Sequence, residues 1–371
     1  MQFIVSSSTF LAGLQAVSRV LGGKPAQPIL NNILLVASDG ALYVTASDRE
    51  ITLEARVELE SLGEPGSVAV PPKLIDMLKE FPEQPLTFEI KETTVKIISA
   101  NGEFNMQGEN AEDYPQPAQW SENITSLSAR CGTVLDGISR TLFATASDDL
   151  RPVMNCVLIE MNPDNFTFVA SDAHKLVRYK RFDARSDGES RSLILPKKPA
   201  QHLKNLLTRD DAGLKIEFND KMARFTFRNY KMLCTLVEGR FPNYNSVIPQ
   251  NNPKKIIVEK KELYSSLRRV SVLANQASNL VKFDLAPGLL EVSGQDVDYS
   301  TSGHETLSCQ YDGETMTVGF KSSFVLEFLS NLSTDFLVLE LSDPARPGIF
   351  LPFESEEKDE DLLMLLMPMM V

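Results

Sequence analysis

The strongest constraint on the fold is an internal repeat. "LYVTASDRE" (42–50) is similar to "FTFVASDAH" (166–174), and "LEVSGQDVD" (290–298) fits the same frame, so that Asp48, Asp172 and Asp296 align at two equal intervals of 124 residues. "VPPKLIDMLKEF" (70–81), "LPKKPAQHLKNLL" (195–207) and "GFKSSFVLEFLSNL" (319–332) keep that interval and place Lys73, Lys197 and Lys321 in register. Three copies fill essentially the whole chain of 371 residues. Boundaries are expected in the Pro- and Asn-rich stretches 110–120 and 239–255, which gives domains 1–124, 125–252 and 253–371.

Each copy has the same internal pattern. Leu42, Val44 and Ala46 recur at every second position, as do Phe166, Phe168 and Ala170, then Leu290, Val292 and Gly294, which predicts a half-buried strand closed by the aspartate. "STFLAGLQAVSRVLGG" has Phe10, Leu11, Leu14, Val17, Val20 and Leu21 at helical spacing with Gly22 and Gly23 as a stop, and "CGTVLDGISRTLFA" and "KKELYSSLRRVSVL" are weaker counterparts. The lysine-led segments supply a second helix per copy, with Leu203, Leu206 and Leu207 on one face of the middle one. "LTFEIKETTVKIIS" and "LKIEFNDKMARFTF" read as hairpins. The fold class is therefore α+β, each domain being two βαβββ-like modules.

The formal charge of -13 argues at first sight against a polyanionic partner. Its distribution reverses the argument. The six helical stretches hold fifteen Lys and Arg against five Asp and Glu, and if the modules close into a ring with helices inside and sheets outside, those cations line one surface.

Other function classes find little support. Cys131, Cys156, Cys234 and Cys309 form no C-x-x-C pair, which predicts neither a metal site nor a disulfide framework. The N-terminus lacks a secretory pattern and no apolar run approaches membrane length, so a cytoplasmic protein is expected. Ser171, Asp172 and His174 suggest a catalytic cluster, but the segment recurs three times, with Glu50 and Asp298 where His174 stands. The acidic pairs Asp148-Asp149 and Asp210-Asp211 have no histidine in ligand spacing, since His174, His202 and His304 are far apart. "GGKP" (22–25) lacks the frame of a phosphate loop, and the acidic run "ESEEKDED" (354–361) reads as a solvated loop. No enzyme, cofactor or metal is expected.

"LGGKPAQPIL" (21–30), "VASDAHKL" (169–176), "EGRFPNY" (238–244) and the terminal "MPMMV" (367–371) resemble, in order and across the full length, segments of the bacterial replicative DNA polymerase sliding clamp family, the beta subunit. The resemblance implies a non-enzymatic, ring-shaped homodimer that surrounds double-stranded DNA without reading its sequence. It further implies a pocket between the second and third domains for peptides of the polymerase III catalytic subunit, the clamp loader, and other polymerases and repair proteins.

Matched residue by residue, that pocket would comprise Met154, Ser171, Ala173, His174, Lys175, Leu176, Pro242, Val247, Phe324, Met367, Pro368 and Met369. The dimer seam would use Phe104 and Met106 on one side and Val272 and Leu273 on the other. Lys24, Lys73, Lys197, Lys198 and Lys321, which start or flank the basic helices, are the expected phosphate contacts. Ser246, where the family often has arginine, and Ala173, where it often has glycine, depart from the pattern. A repeat-built peptide scaffold that does not encircle DNA is the alternative reading.

Overall fold

A computed structural model describes the chain except for residues 23–26, 117–122, 149, 356 and 357. Lys24, Gly23, Asp149, much of the first boundary stretch and the middle of the acidic run therefore lie outside the described residues. The first copy runs Gln2–Ser6, helix α1 (Ser7–Ser18), Ile33–Ser38, Ala41–Ser47, Ile51–Glu58, then Gly66–Val70, helix α2 (Lys73–Lys79), Pro85–Lys91, Thr94–Ser99 and Gly102–Gln107. The second copy repeats this order around helices α3 (Cys131–Thr141) and α4 (Lys197–Leu206), and the third around α5 (Lys260–Val270) and α6 (Ser322–Asn331). An extra strand, Ser61–Glu64, sets the first copy apart.

The chain packs as two compact units, Met1–Leu135 with Gln201–Leu236, and Asp136–Ala200 with Val237–Val371. They cut across the repeat because strands hydrogen-bond over its joins. In the first unit Tyr230–Thr235 lies antiparallel to Ile51–Glu58, within an eight-stranded sheet. In the second, Lys175–Arg181 pairs with Glu360–Leu366 through seven consecutive positions, from Lys175 opposite Leu366 to Arg181 opposite Glu360, inside a twelve-stranded sheet.

The first unit shows why its helix forms where it does. Ser6 caps α1 by accepting the Thr9 amide at 3.2 Å, and Phe10, Leu14 and Val17 fall on one buried face. Phe10 meets Phe3 and Phe88 edge to face, while those two rings stack at 5.0 Å. Each such ring removed from water contributes roughly 1.5–3 kcal/mol. The helix ends at Ser18, earlier than the glycine pair suggested. Val20 and Leu21 donate instead to carbonyls three residues back, a tightened last turn that keeps Val20 in the core.

In the second unit, Gly137 on α3 lets the helix approach the sheet closely: a Cβ there would stand 2.4 Å from the Phe168 ring. Phe320, Phe328 and Phe350 pack edge to face behind α6.

The expected half-buried strand is only partly found. Leu289–Asp296 alternates, but Phe166–Ser171 is buried at all six positions and Ala41–Ser47 at nearly all. The cause lies in the connecting segments. Tyr244 and Ile248 form a cluster with Leu158, Val169, Leu176 and Leu365, covering the face of the second copy's sheet that carries Val169. Tyr114 packs with Ile29, Leu30 and Ala69 in the first unit. The acidic run is also not wholly a loop: Glu360 and Asp361 enter the last strand, where they meet the Tyr179 hydroxyl at 2.5 Å and Arg178 at 2.7 Å.

Candidate functional site

The polar cluster 171–175 is a structural turn. The Asp172 carboxylate accepts the amides of His174 and Lys175 at 2.9 and 2.8 Å. The Ser171 hydroxyl donates to the Lys175 carbonyl at 2.9 Å and accepts the Ala173 amide at 3.2 Å. Asp48 takes two amides in the same way, from Glu50 and Ile51, and Asp296 takes those of Asp298 and Tyr299. The repeated aspartate is therefore kept by backbone geometry, since its side chain closes the strand end. Hydroxyl and carboxylate alike are engaged by backbone groups of the turn. Ala173 sits at φ 75°, a left-handed conformation that favours glycine.

Strand pairing brings the chain end to this turn. Met367 donates to the His174 carbonyl at 2.8 Å, and Met369 to the Gly319 carbonyl at 2.8 Å. Beside the turn lies a cavity of about 530 Å³. Of the twelve residues singled out from the sequence, Met154, Ser171, Ala173, Lys175, Leu176, Pro242, Val247 and Met367 line it. His174, Phe324, Pro368 and Met369 do not; the rings of His174 and Phe324 stack at 6.4 Å outside its wall. Leu150, Pro152, Val153, Phe241, Tyr244 and Leu365 also line the cavity and were missed. Leu150, Pro152 and Val153 follow the acidic pair Asp148-Asp149 in a short stretch without periodicity, so no sequence signal marked them.

The wall is apolar and partly open: Leu150 is 90% exposed and Val247 51%. The polar groups behind it are fixed. Tyr244 donates to Glu160 at 2.7 Å, and burial followed by that carboxylate raises its phenol well above the ordinary range. Burial pushes the Cys156 thiol up to about 12, so it stays protonated. Among the described residues no group of three or more His, Cys, Asp or Glu could hold a metal ion.

Models of the DNA polymerase III beta subunit match the chain three times: its N-terminal domain at residues 1–118, its central domain at 132–243 and its C-terminal domain at 245–370. The chain belongs to the DNA polymerase III beta subunit family. The beta sliding clamp of Pseudomonas aeruginosa is 28% identical, with both chains covered completely, and that of Escherichia coli K12 is 29% identical over 92% of this chain and 93% of its own. The crystal structure of the Pseudomonas aeruginosa clamp bound to griselimycin superposes with a TM-score of 0.93 at 27% identity, covering 100% of each chain. The fold is accordingly the three-domain clamp fold.

Lys73 and Lys197 are the exposed first residues of α2 and α4, Lys198 follows exposed, and Lys321 caps the start of α6. Lys321 is half-buried, with its ammonium 4.8 Å from the Phe324 ring centre. Lys197 reaches the Ser147 hydroxyl at 3.2 Å. The tally of helical cations overstated what they offer a polyanion. Arg269 grips Glu305 with two bonds, Lys79 pairs with Asp76, and Arg140 and Lys260 are spent on backbone carbonyls.

The seam candidates are all incompletely buried: Phe104 is 41% exposed, Val272 77%, and Met106 and Leu273 are intermediate. Phe104 and Met106 lie on Gly102–Gln107, the last strand of the first unit's five-stranded sheet. Leu273 lies over Gly303 in Thr301–Gln310, whose second edge pairs, among the described residues, only at Cys309 and Gln310.

Proposed function

We propose that this chain is a sliding clamp. Two copies join head to tail into a ring around duplex DNA and tether the replicative polymerase for processive synthesis; no chemistry is performed on the DNA. The observation that carries this reading is the full-length match to all three beta-subunit domains, joined to complete coverage of relatives named as sliding clamps. Domains at 1–124, 125–252 and 253–371 follow the 124-residue repeat.

Three features support the assigned sites. Lys73 and Lys197 begin helices, and Lys321 immediately precedes one. A cation there opposes the helix dipole at a cost of about 0.3–1 kcal/mol each, so folding alone does not favour it, whereas a phosphate would. The edge strand carrying Phe104 and Met106, and the edge of Thr301–Gln310 beside the turn that holds Val272 and Leu273, suit continuation of the sheet from one copy into the next, which removes both edges.

The cavity suits an extended peptide with apolar anchors, such as those of polymerase, clamp-loader and repair subunits, and the peptide ligand griselimycin. His174, Phe324, Pro368 and Met369 extend it as a rim beyond the cavity wall. No helix among the described residues is long and apolar enough to cross a membrane. We place the protein in the cytoplasm, with the replication machinery.

Primer extension on a circular template, with polymerase and clamp loader held fixed, tests the reading. Adding the chain should lengthen the product made per binding event. Unchanged lengths alongside normal peptide binding would favour the peptide scaffold that does not encircle DNA.

A further inference from the structure

Lys175 is a charged side chain enclosed at the wall of an apolar cavity: the residue is 4% exposed. Burying an ammonium is unfavourable unless it is paired, and its partners come from three separate segments. Glu327 on α6 bonds it directly, and the Asp172 carboxylate stands at 3.8 Å. The Phe324 ring centre lies 4.5 Å away and that of Phe143 5.8 Å. Lys175 therefore joins the turn of the second repeat to the helix of the third.

The turn needs such a hold. Ser171, Ala173 and Leu176 line the cavity around Lys175, yet Ala173 keeps a left-handed conformation that a non-glycine residue resists. Glu327 lies outside the cavity lining and is separated from Lys175 by 152 positions in sequence. We propose that Glu327 is a positioning residue for peptide binding. By fixing Lys175 it sets the cavity wall at 171–176 and holds the Phe324 ring between Lys175 and Lys321. The proposal rests on the peptide-pocket reading above.

The test uses the full chain and griselimycin as probe, titrated by calorimetry, with a thermal melt of each variant. Glu327→Gln, which keeps the shape and removes the charge, should weaken binding roughly ten-fold. Glu327→Asp, which keeps the charge, should recover most of that loss. The decisive arm is Lys175→Met: if Glu327 acts through Lys175, adding Glu327→Gln to this variant changes affinity no further.

Wild-type affinity in Glu327→Gln would overturn the proposal. So would an equal loss in both backgrounds, because α6 would then act without Lys175. Should Glu327→Gln fail to fold, Lys175→Met carries the test: wild-type affinity in that folded variant would overturn the proposal, because Glu327 could not then act through Lys175. Failure of the wild-type chain to bind griselimycin would instead count against the pocket reading, since that arm contains no substitution.

Discussion

Leu273→Asp should convert the dimer to folded monomers. Leu273 is half-buried and its neighbour Val272 is 77% exposed in a single copy, so neither is a pillar of the core. Covering the leucine at a seam contributes about 1.5–2 kcal/mol, and an aspartate there adds a carboxylate without a partner, at a further cost of about 2–3 kcal/mol. A two-copy ring closed head to tail has two identical seams, so the substitution acts twice. The total is about 7–10 kcal/mol, or roughly five to seven powers of ten in the dissociation constant. Sedimentation velocity across nanomolar to micromolar concentrations reads the outcome, and a melt alongside should show the monomer folded. A dimer that persists in Leu273→Asp would refute the seam.

Three further outcomes are expected. Exchanging Lys73, Lys197 and Lys198 for Glu should weaken DNA binding and flatten its salt dependence, measured by anisotropy at several ionic strengths, while the melt stays level or rises because acidic residues suit helix starts. Deleting residues 367–371 removes the bonds from Met367 to His174 and from Met369 to Gly319, and should abolish peptide binding in calorimetry while sedimentation still shows a dimer. Burial raises the thiols of Cys156 and Cys234 from 9.0 to about 12, so the folded chain keeps protons that the unfolded chain releases. That contribution to stability is intact below about pH 9 and is lost as pH rises towards 12; urea unfolding at pH 8 and pH 10 should show the decline.

What the sequence disclosed followed from periodicity. A 124-residue interval is visible however far apart the copies lie, and the helix starts at Lys73 and Lys197 are local signals that the structure reproduces. Burial on the second face of Phe166–Ser171 was hidden, because the residues covering it, Tyr244 and Ile248, belong to a connecting segment with no period of its own.

The cavity was legible where a motif carried it, at Ser171, Ala173, Lys175, Leu176 and Met367, and illegible where only packing did, at Leu150, Pro152 and Val153. Charge was the least reliable guide. Counting cations along helices ignores pairing such as that of Arg269 with Glu305, which only coordinates reveal.

The central claim is topological, and retention on DNA tests it directly. The chain is loaded onto a nicked circular duplex, separated from free protein by gel filtration, and followed before and after a restriction enzyme opens the circle. A sliding clamp stays with the circle at salt concentrations that dissolve phosphate contacts and leaves promptly once the DNA has ends. Release at the same rate from circular and linear DNA would contradict the account.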